Sequence, residues 1–530
     1  MKFCVDKKKF TIENVLFMLC VIVSFAMLCY SLWGCFFDSI ISDEAFSLYI
    51  VEGSYLDIVI NTVQDVHPPF FYFILKFFLD IITFVIPSVN VVVLSKLISF
   101  ASIASIFYFM VFKMSKKMPK SVVGISLIVL FCFGSFTEYG ITIRMYGYSM
   151  LFVLLSFYYA LQIVRYKQER DFRRFVLWFE LAALSHYFSL MAVAGLLLFM
   201  IAYSLIFERK YFWTFYKYAL YAVLFYVPWL VILCCQFAYL SGFGYWIPTL
   251  TTNSVSSIFS YVFSIKLVES LNKTWVTAFL TMLFLVVMAV NLFNKKLDKV
   301  QKWIASSGLF MMFFVVGVGL AVSVLLTPIF IERYTLPTLF VMYMCVIYNF
   351  YLFVKYTLHD LCLAILKKLS FNKEKCLKYA GITLQALCLV VVSIYGFINI
   401  SKVIKHEKYV DEKYDYMVSY LNDKADDVIV STYGSVQHPV EYMSGHFIYG
   451  LYDTSTCWWE NITGVHHPKL SADEIKQMIL NGENVYLIEC GFDMNKLNGT
   501  GLKWTYETAF DIEHQWYTIY HVGVYKLELA

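Results

Sequence analysis

Charge is what this chain has least of. Only 15% of its 530 residues are Asp, Glu, Lys or Arg, where soluble domains carry about a quarter. The basic residues that exist are clustered in short stretches, and no basic face is interleaved with aromatics, which excludes a nucleic-acid-binding reading. No CxxC spacing is present, and most of the 13 Cys sit inside apolar runs as small hydrophobes. There is no GxGxxG, no P-loop, no internal repeat and no low-complexity tract, so the usual signs of nucleotide binding or of a repeat architecture are missing. No small-residue cleavage site follows the charged start MKFCVDKKKF, and Asn14–Phe37 is therefore read as a retained first span.

What is present is hydrocarbon: 60% hydrophobic residues, 19% aromatic and a mean hydropathy of +0.66. Apolar runs of membrane-spanning length recur along the first 400 residues. With basic short loops assigned to the cytoplasm, Lys7–Lys9 places the N-terminus inside and the segment Asp38–Tyr72 outside. Phe70–Ile86 is at the short limit for a crossing, and the basic stretch Lys113–Lys120 is cytoplasmic only if Phe70–Ile86 is re-entrant or interfacial. Later spans are expected at Val89–Phe112, Ser121–Thr137, Tyr146–Val164, Phe175–Phe207 (two short spans broken at Ser185–Tyr187), Phe212–Cys235, Val276–Phe293, Trp303–Leu326, Leu336–Val354 and Ala380–Ile400.

The fold class expected is an all-α polytopic membrane protein of about 11–13 spans, with a small C-terminal α/β domain outside the membrane. The boundary falls between a multi-span domain, 1–400, whose first external loop is 38–69, and a tail domain, 401–530. The tail is polar and carries strand-like runs at Asp427–Thr432, Phe447–Tyr452 and Asn484–Glu489, with a helix over Ser471–Leu480 opened by Ser and acidic residues. Cys457 and Cys490 both lie there and are a candidate disulfide. Asn272, Asn461 and Asn498 fit the N-x-Ser/Thr pattern.

Five polar clusters fall on the outer side of this arrangement: Asp43 with Glu44, Asp65 with His67, Glu138 with Arg144, His186 with Tyr187, and Glu332–Arg333–Tyr334. Each has a plain reading. Asp43 and Glu44 suit the first turn of a helix starting near Ser42 and ending at Gly53. Pro68–Pro69 suits a helix start capped by His67. Glu138 and Arg144 could form a private ion pair, His186 could be an interfacial histidine, and Glu332–Tyr334 could be headgroup anchors. Five such clusters on one side exceed what a solvated rim needs, because ionisable groups near hydrocarbon are costly unless paired or functional. A carboxylate without Ser or Cys partners suits general-base activation of a hydroxyl, and Arg with His suits a phosphate. Together they point to transfer from a lipid-phosphate donor.

The motifs SDEAFSLYIVEG (Ser42–Gly53) and DVHPPFFYFILKFF (Asp65–Phe78) resemble the first external loop of membrane glycosyltransferases of the GT-C fold. The branch they resemble is the bacterial one related to protein O-mannosyltransferases, lipid A aminoarabinose transferases and lipopolysaccharide-core galacturonosyltransferases. TEYGITIRMYGYSML (Thr137–Leu151, which includes Tyr146), LSHYFSL (Leu184–Leu190) and IERYTLPTLF (Ile331–Phe340) resemble later blocks in the same order. The resemblance implies a polyprenyl-phosphate-linked sugar donor, an inverting single displacement, and a glycan, lipid or protein acceptor. It implies catalytic Asp43 with Glu44 beside it. Substrate contacts are implied at Asp65, His67, Glu138, Arg144, Tyr146, His186, Tyr187, Arg333 and Tyr334. Some relatives bind a divalent metal and others need none, so the metal stays open and no other cofactor is expected. Two rival classes remain: a lipid-linked sugar flippase, which predicts mid-membrane charges and broken helices, and a non-catalytic scaffold with a partner-binding tail.

Overall fold

The computed structural model describes residues 12–243, 247–263, 273–358, 373–452, 468–515 and 518–530. The chain packs as two compact units: 1–31 with 100–140 and 145–401, and 32–99 with 141–144 and 402–530.

The first unit is helical. Apolar runs satisfy their own backbone groups only as helices when water is absent. They form α1 (Ile12–Leu32), α5 (Val91–Phe112), α6 (Lys120–Cys132), α7 (Gly134–Ile141), α8 (Tyr146–Tyr166), α9 (Glu169–Ala183), α10 (Tyr187–Phe207), α11 (Phe212–Phe243), α12 (Thr252–Phe263), α13 (Lys273–Phe293), α14 (Lys299–Leu325), α15 (Leu336–Leu352) and α16 (Lys373–Asn422). The ends of α1, α5, α7 and α16 belong to the second unit. Among the described residues eight helices are long and apolar enough to cross a membrane, nine if α6 and α7, bent by 76°, count as one broken span. The run Phe175–Phe207 divides as expected at Ser185–His186, but its first part is the C-terminal half of amphipathic α9.

Local chemistry sets the helix ends. Asp298 and Gln301 cap α14 reciprocally, at 2.8 and 3.0 Å. α14 and α15 approach so closely at Gly308 that a Cβ there would lie 2.8 Å from Cys345 Sγ. Asn349, fully buried, donates to the carbonyls of Ala305 (2.7 Å) and Cys345 (3.0 Å) and accepts from Asn291 Nδ2 (3.0 Å). This is the polar bonding that ties apolar helices together.

The second unit joins the segment after α1 to the C-terminal tail. Its helices are α2 (Ser42–Glu52), α3 (Tyr55–Gln64) and α4 (Phe70–Val85). Ser54 and Asp57 cap α3. α4 has 16 residues and is amphipathic: Phe71, Tyr72 and Leu75 are buried, while Phe77, Ile81 and Phe84 are exposed. Lys76 pairs with Asp80 at 3.2 Å one turn on.

α16 does not stop where the tail begins; it runs 50 residues, to Asn422. A six-stranded sheet follows, of order β3-β2-β1-β4-β6-β5. Its strands are β1 (Val428–Ser431), β2 (Ile448–Leu451), β3 (Lys469–Leu470), β4 (Val485–Glu489), β5 (Leu502–Gln515) and β6 (Thr518–Leu529). β1 pairs in parallel with both β2 (Ile429 opposite Ile448) and β4 (Ile429 opposite Tyr486), whereas β6 runs antiparallel to β4 and β5. The period-2 alternation of strands sends neighbours to opposite faces. Ile429, Ile488 and Phe510 pack with Tyr414, Met417 and Leu421 of α16 and with α17 (Gly434–Ser444). Val430, Leu487 and Leu527 pack with Ile475 of α18 (Ala472–Leu480) on the other side. Ser471 caps α18, and the three strand-like runs read from the sequence are β1, β2 and β4. β5 and β6 and the helix α17 were not legible there. Cys457, the candidate partner of Cys490, and the sequons at Asn272 and Asn461 lie outside the described residues.

Candidate active site

In the second unit the expected residues Asp43, Glu44, Asp65, His67 and Arg144 come together around the start of α2. α2 begins at Ser42 after an extended Ile41 and ends at Gly53. The adjacent carboxylates of its first turn then separate in role. Glu44 is 3% exposed. Its Oε2 accepts from the Ile41 N–H (3.0 Å) and its Oε1 from the Ile143 N–H (2.9 Å). It therefore clamps the start of α2 to the 141–144 segment. Burial pushes its carboxyl up to about 7, against the opposing pull of Lys96 and of the two N–H donors, with Glu407 adding to the rise.

Asp43, on the neighbouring position, is half-buried. Its main-chain oxygen accepts from Arg144 Nη1 at 3.3 Å, and the same nitrogen donates to Ser47 Oγ at 3.4 Å. The Arg144 guanidinium, 4% exposed, also lies 6.0 Å over the Phe46 ring. Asp65 and His67 are buried, with Oδ2 3.2 Å from Nδ1. Burial holds the His67 imidazole below its ordinary range, while Asp65 pulls the other way; Arg144 and Asp43 are both within electrostatic reach of the ring. A carboxylate, a cation and a histidine held by a second carboxylate thus converge.

Sequence reasoning missed a further charged pair in this unit. Lys96 Nζ of α5, 1% exposed, bonds Glu407 Oε2 of α16 at 2.7 Å. The available signal was a lone lysine inside VVVLSKLISF, a charge that apolar surroundings tolerate only when paired.

In the first unit a second group forms from Glu138, Tyr146, His186, Arg333 and Tyr334. His186 caps α10, its Nδ1 accepting from the Phe188 N–H at 3.1 Å. Its ring lies 5.4 Å from that of Tyr146 and 5.2 Å from that of Tyr334. Tyr139 packs on Tyr146 at 4.6 Å, and its hydroxyl is within electrostatic reach of both Glu138 and Arg333. Tyr187 departs from this group: its hydroxyl donates to Gln236 and accepts from Trp229 Nε1 at 3.1 Å. Of the two residues read from the sequence as a cluster, Glu138 belongs to the first unit and Arg144 to the second. Among the described residues no three His, Cys, Asp or Glu side chains converge as a metal site requires.

With this geometry in view, solved structures give a match. ArnT from Cupriavidus metallidurans in the apo state aligns over 97% of both chains, with a TM-score of 0.55 at 11% identity. ArnT of the same organism bound to undecaprenyl phosphate aligns over the same shares, with a TM-score of 0.53 at 11% identity. The chain shares the ArnT fold. The fold they share is that of a polytopic helical membrane protein with a small strand-containing C-terminal domain. No family model and no curated protein sequence matches it. Identity this low carries the fold and leaves chemistry to the residues.

Proposed function

We propose that this protein transfers a sugar from a polyprenyl-phosphate-linked donor to an acceptor hydroxyl at the extracytoplasmic face of the cytoplasmic membrane. The observation that carries the reading is the first turn of α2. There Glu44 is committed to two backbone N–H groups, and Asp43 stands beside Arg144, Asp65 and His67. The Asp43 carboxylate takes the acceptor proton as the acceptor oxygen attacks the sugar C1. The C1–O bond to the phosphate breaks on the opposite side, inverting the centre, and the lipid phosphate leaves with both bonding electrons. Arg144 stabilises the charge that grows on that phosphate, where a preorganised cation is worth most. His67, oriented by Asp65, donates to the phosphate or the sugar. An ArnT structure contains undecaprenyl phosphate, which supports this class of donor.

The test is turnover of purified Asp43→Asn against a panel of polyprenyl-phosphate sugars. General-base loss predicts a fall of about 10²–10⁴-fold, with thermal stability unchanged. Activity within a few-fold of wild type removes Asp43 from the base role. A transport reading is favoured by the 76° break between α6 and α7. Donor-dependent flipping in liposomes without a glycosylated product would select it.

A further inference from the structure

Lys96 and Glu407 are 311 residues apart in sequence and 2.7 Å apart in space. Neither side chain reaches solvent to more than 8%. A buried ion pair of this kind is a poor stabiliser, because desolvation cancels most of the attraction and apolar residues of equal volume often do as well. Its surroundings offer another use. Cys35 Sγ donates to the Lys96 carbonyl at 3.7 Å, fixing the α5 turn that carries the lysine. On α16, His406 is 2.7 Å from the buried Glu513 of β5, one residue from Glu407. Among the charges acting on Glu44, Lys96 is the strongest.

We infer that Lys96 and Glu407 are positioning residues for the transfer proposed above. They set the charge and placement of Glu44, and through Glu44 the placement of Asp43 and Arg144. The inference rests on that transfer reading for its activity arm alone. Glu44 holds both the Ile41 N–H, at the start of the helix that carries Asp43, and the Ile143 N–H, one residue before Arg144. The ionised carboxylate, with charge on both oxygens, holds the two N–H groups more strongly than the protonated acid does. Lys96 favours that form, and Glu407 limits the effect by holding the ammonium at 2.7 Å and by its own negative charge.

The groups facing Glu44 are few. Lys96 comes from α5, Glu407 and Tyr414 from α16, and Cys35 from the turn after α1. Asp43 and Arg144 lie beside it in sequence and on the clamped segment. α4 and α17 meet α2 elsewhere, through Tyr72 against Phe46, and His438 and Tyr442 against Tyr49. Glu513 of β5 faces Glu407 and Tyr414.

This arrangement makes a prediction that a merely structural pair does not. Removing the cation and removing its partner should move the titration of Glu44 in opposite directions. The experiment uses full-length protein in nanodiscs, with Lys96→Met, Lys96→Arg and Glu407→Gln. Two profiles are recorded against pH: initial rate with a polyprenyl-phosphate sugar, and midpoint of thermal unfolding. In Lys96→Met the acid-side inflection of both profiles should rise by about one pH unit. In Glu407→Gln, where Lys96 is released to Glu44, it should fall, and in Lys96→Arg it should stay. Displacement of both variants in one direction, or of neither, overturns the inference even if both lose stability. If wild type turns over no donor, the transfer reading fails, and the unfolding profiles still decide the coupling by the same opposite-sign criterion. If Lys96→Met does not fold, a lowered inflection in Glu407→Gln with none in Lys96→Arg supports the inference. Any other pattern overturns it.

Discussion

Replacing Glu44 by Gln keeps the side chain's size and removes its charge, and the cost of doing so should depend on pH in an unusual sense. In the wild-type fold burial raises this carboxyl to about 7, from an ordinary 4.5. Below about pH 4.5 the group is protonated in both folded and unfolded chains, and its contribution to stability is fully present. Between 4.5 and 7 the unfolded chain ionises while the fold holds its proton, so stability falls as pH rises, at about 1.4 kcal/mol per pH unit. By about pH 8.5 the accumulated loss is about 3 kcal/mol. The substituted glutamine cannot titrate. Its amide offers one accepting oxygen where the carboxyl group, protonated or not, keeps lone pairs on both, so either the Ile41 or the Ile143 N–H, at 3.0 and 2.9 Å in the wild type, faces an NH₂ group instead. An unsatisfied buried donor costs about 1–3 kcal/mol. Glu44→Gln should therefore be less stable than wild type by about 2 kcal/mol near pH 5, and the gap should close or reverse by about pH 8.5. Thermal unfolding followed by tryptophan fluorescence at the two pH values measures it. A deficit that is equal at both, or that grows toward alkaline pH, would refute the clamp and the burial argument behind it.

Other consequences concern the scaffold. Gly308→Ala places a Cβ 2.8 Å from Cys345 Sγ and 3.0 Å from the Val341 carbonyl; overpacking of about 1–3 kcal/mol should appear as a lower unfolding temperature, and an unchanged one would show that α14 and α15 separate freely. Asn349→Ala removes donors to Ala305 and Cys345 and the acceptor for Asn291 Nδ2. The expected loss is about 1 kcal/mol per interhelical bond, read by denaturation in mixed micelles. Ser471→Ala deletes the α18 cap, whose Oγ accepts from the Glu474 N–H at 3.3 Å. It should cost about 1 kcal/mol, seen as faster amide exchange in Ala472–Leu480, with turnover untouched.

How far the site was legible in the sequence differs residue by residue. Ser42, Asp43 and Gly53 announce a helix start and stop, and α2 spans Ser42–Glu52. The motif Asp65–Val66–His67–Pro68–Pro69 announces a polar knot before a helix, and α4 follows it. Nothing local says that Glu44 would be spent on backbone N–H groups, since that depends on Ile143, 99 residues away. His186 and Tyr187 look like a pair, yet adjacent residues at a helix start point apart: one caps α10 beside Tyr146 and Tyr334, the other bonds Gln236.

The sequence by itself determined that the chain is a multi-span membrane protein ending in a mixed α/β domain. Long apolar runs can satisfy their backbone in lipid only as helices, and strand periodicity with a capped helix reads locally in the tail. Tertiary structure alone decided that the segment after α1 and the C-terminal tail form one compact unit. It alone decided that α16 continues unbroken to Asn422 and that Lys96 meets Glu407 behind Glu44. Periodicity and capping are signals a few residues long; a pairing across 311 residues is chosen by which buried charges must find each other when everything around them is apolar.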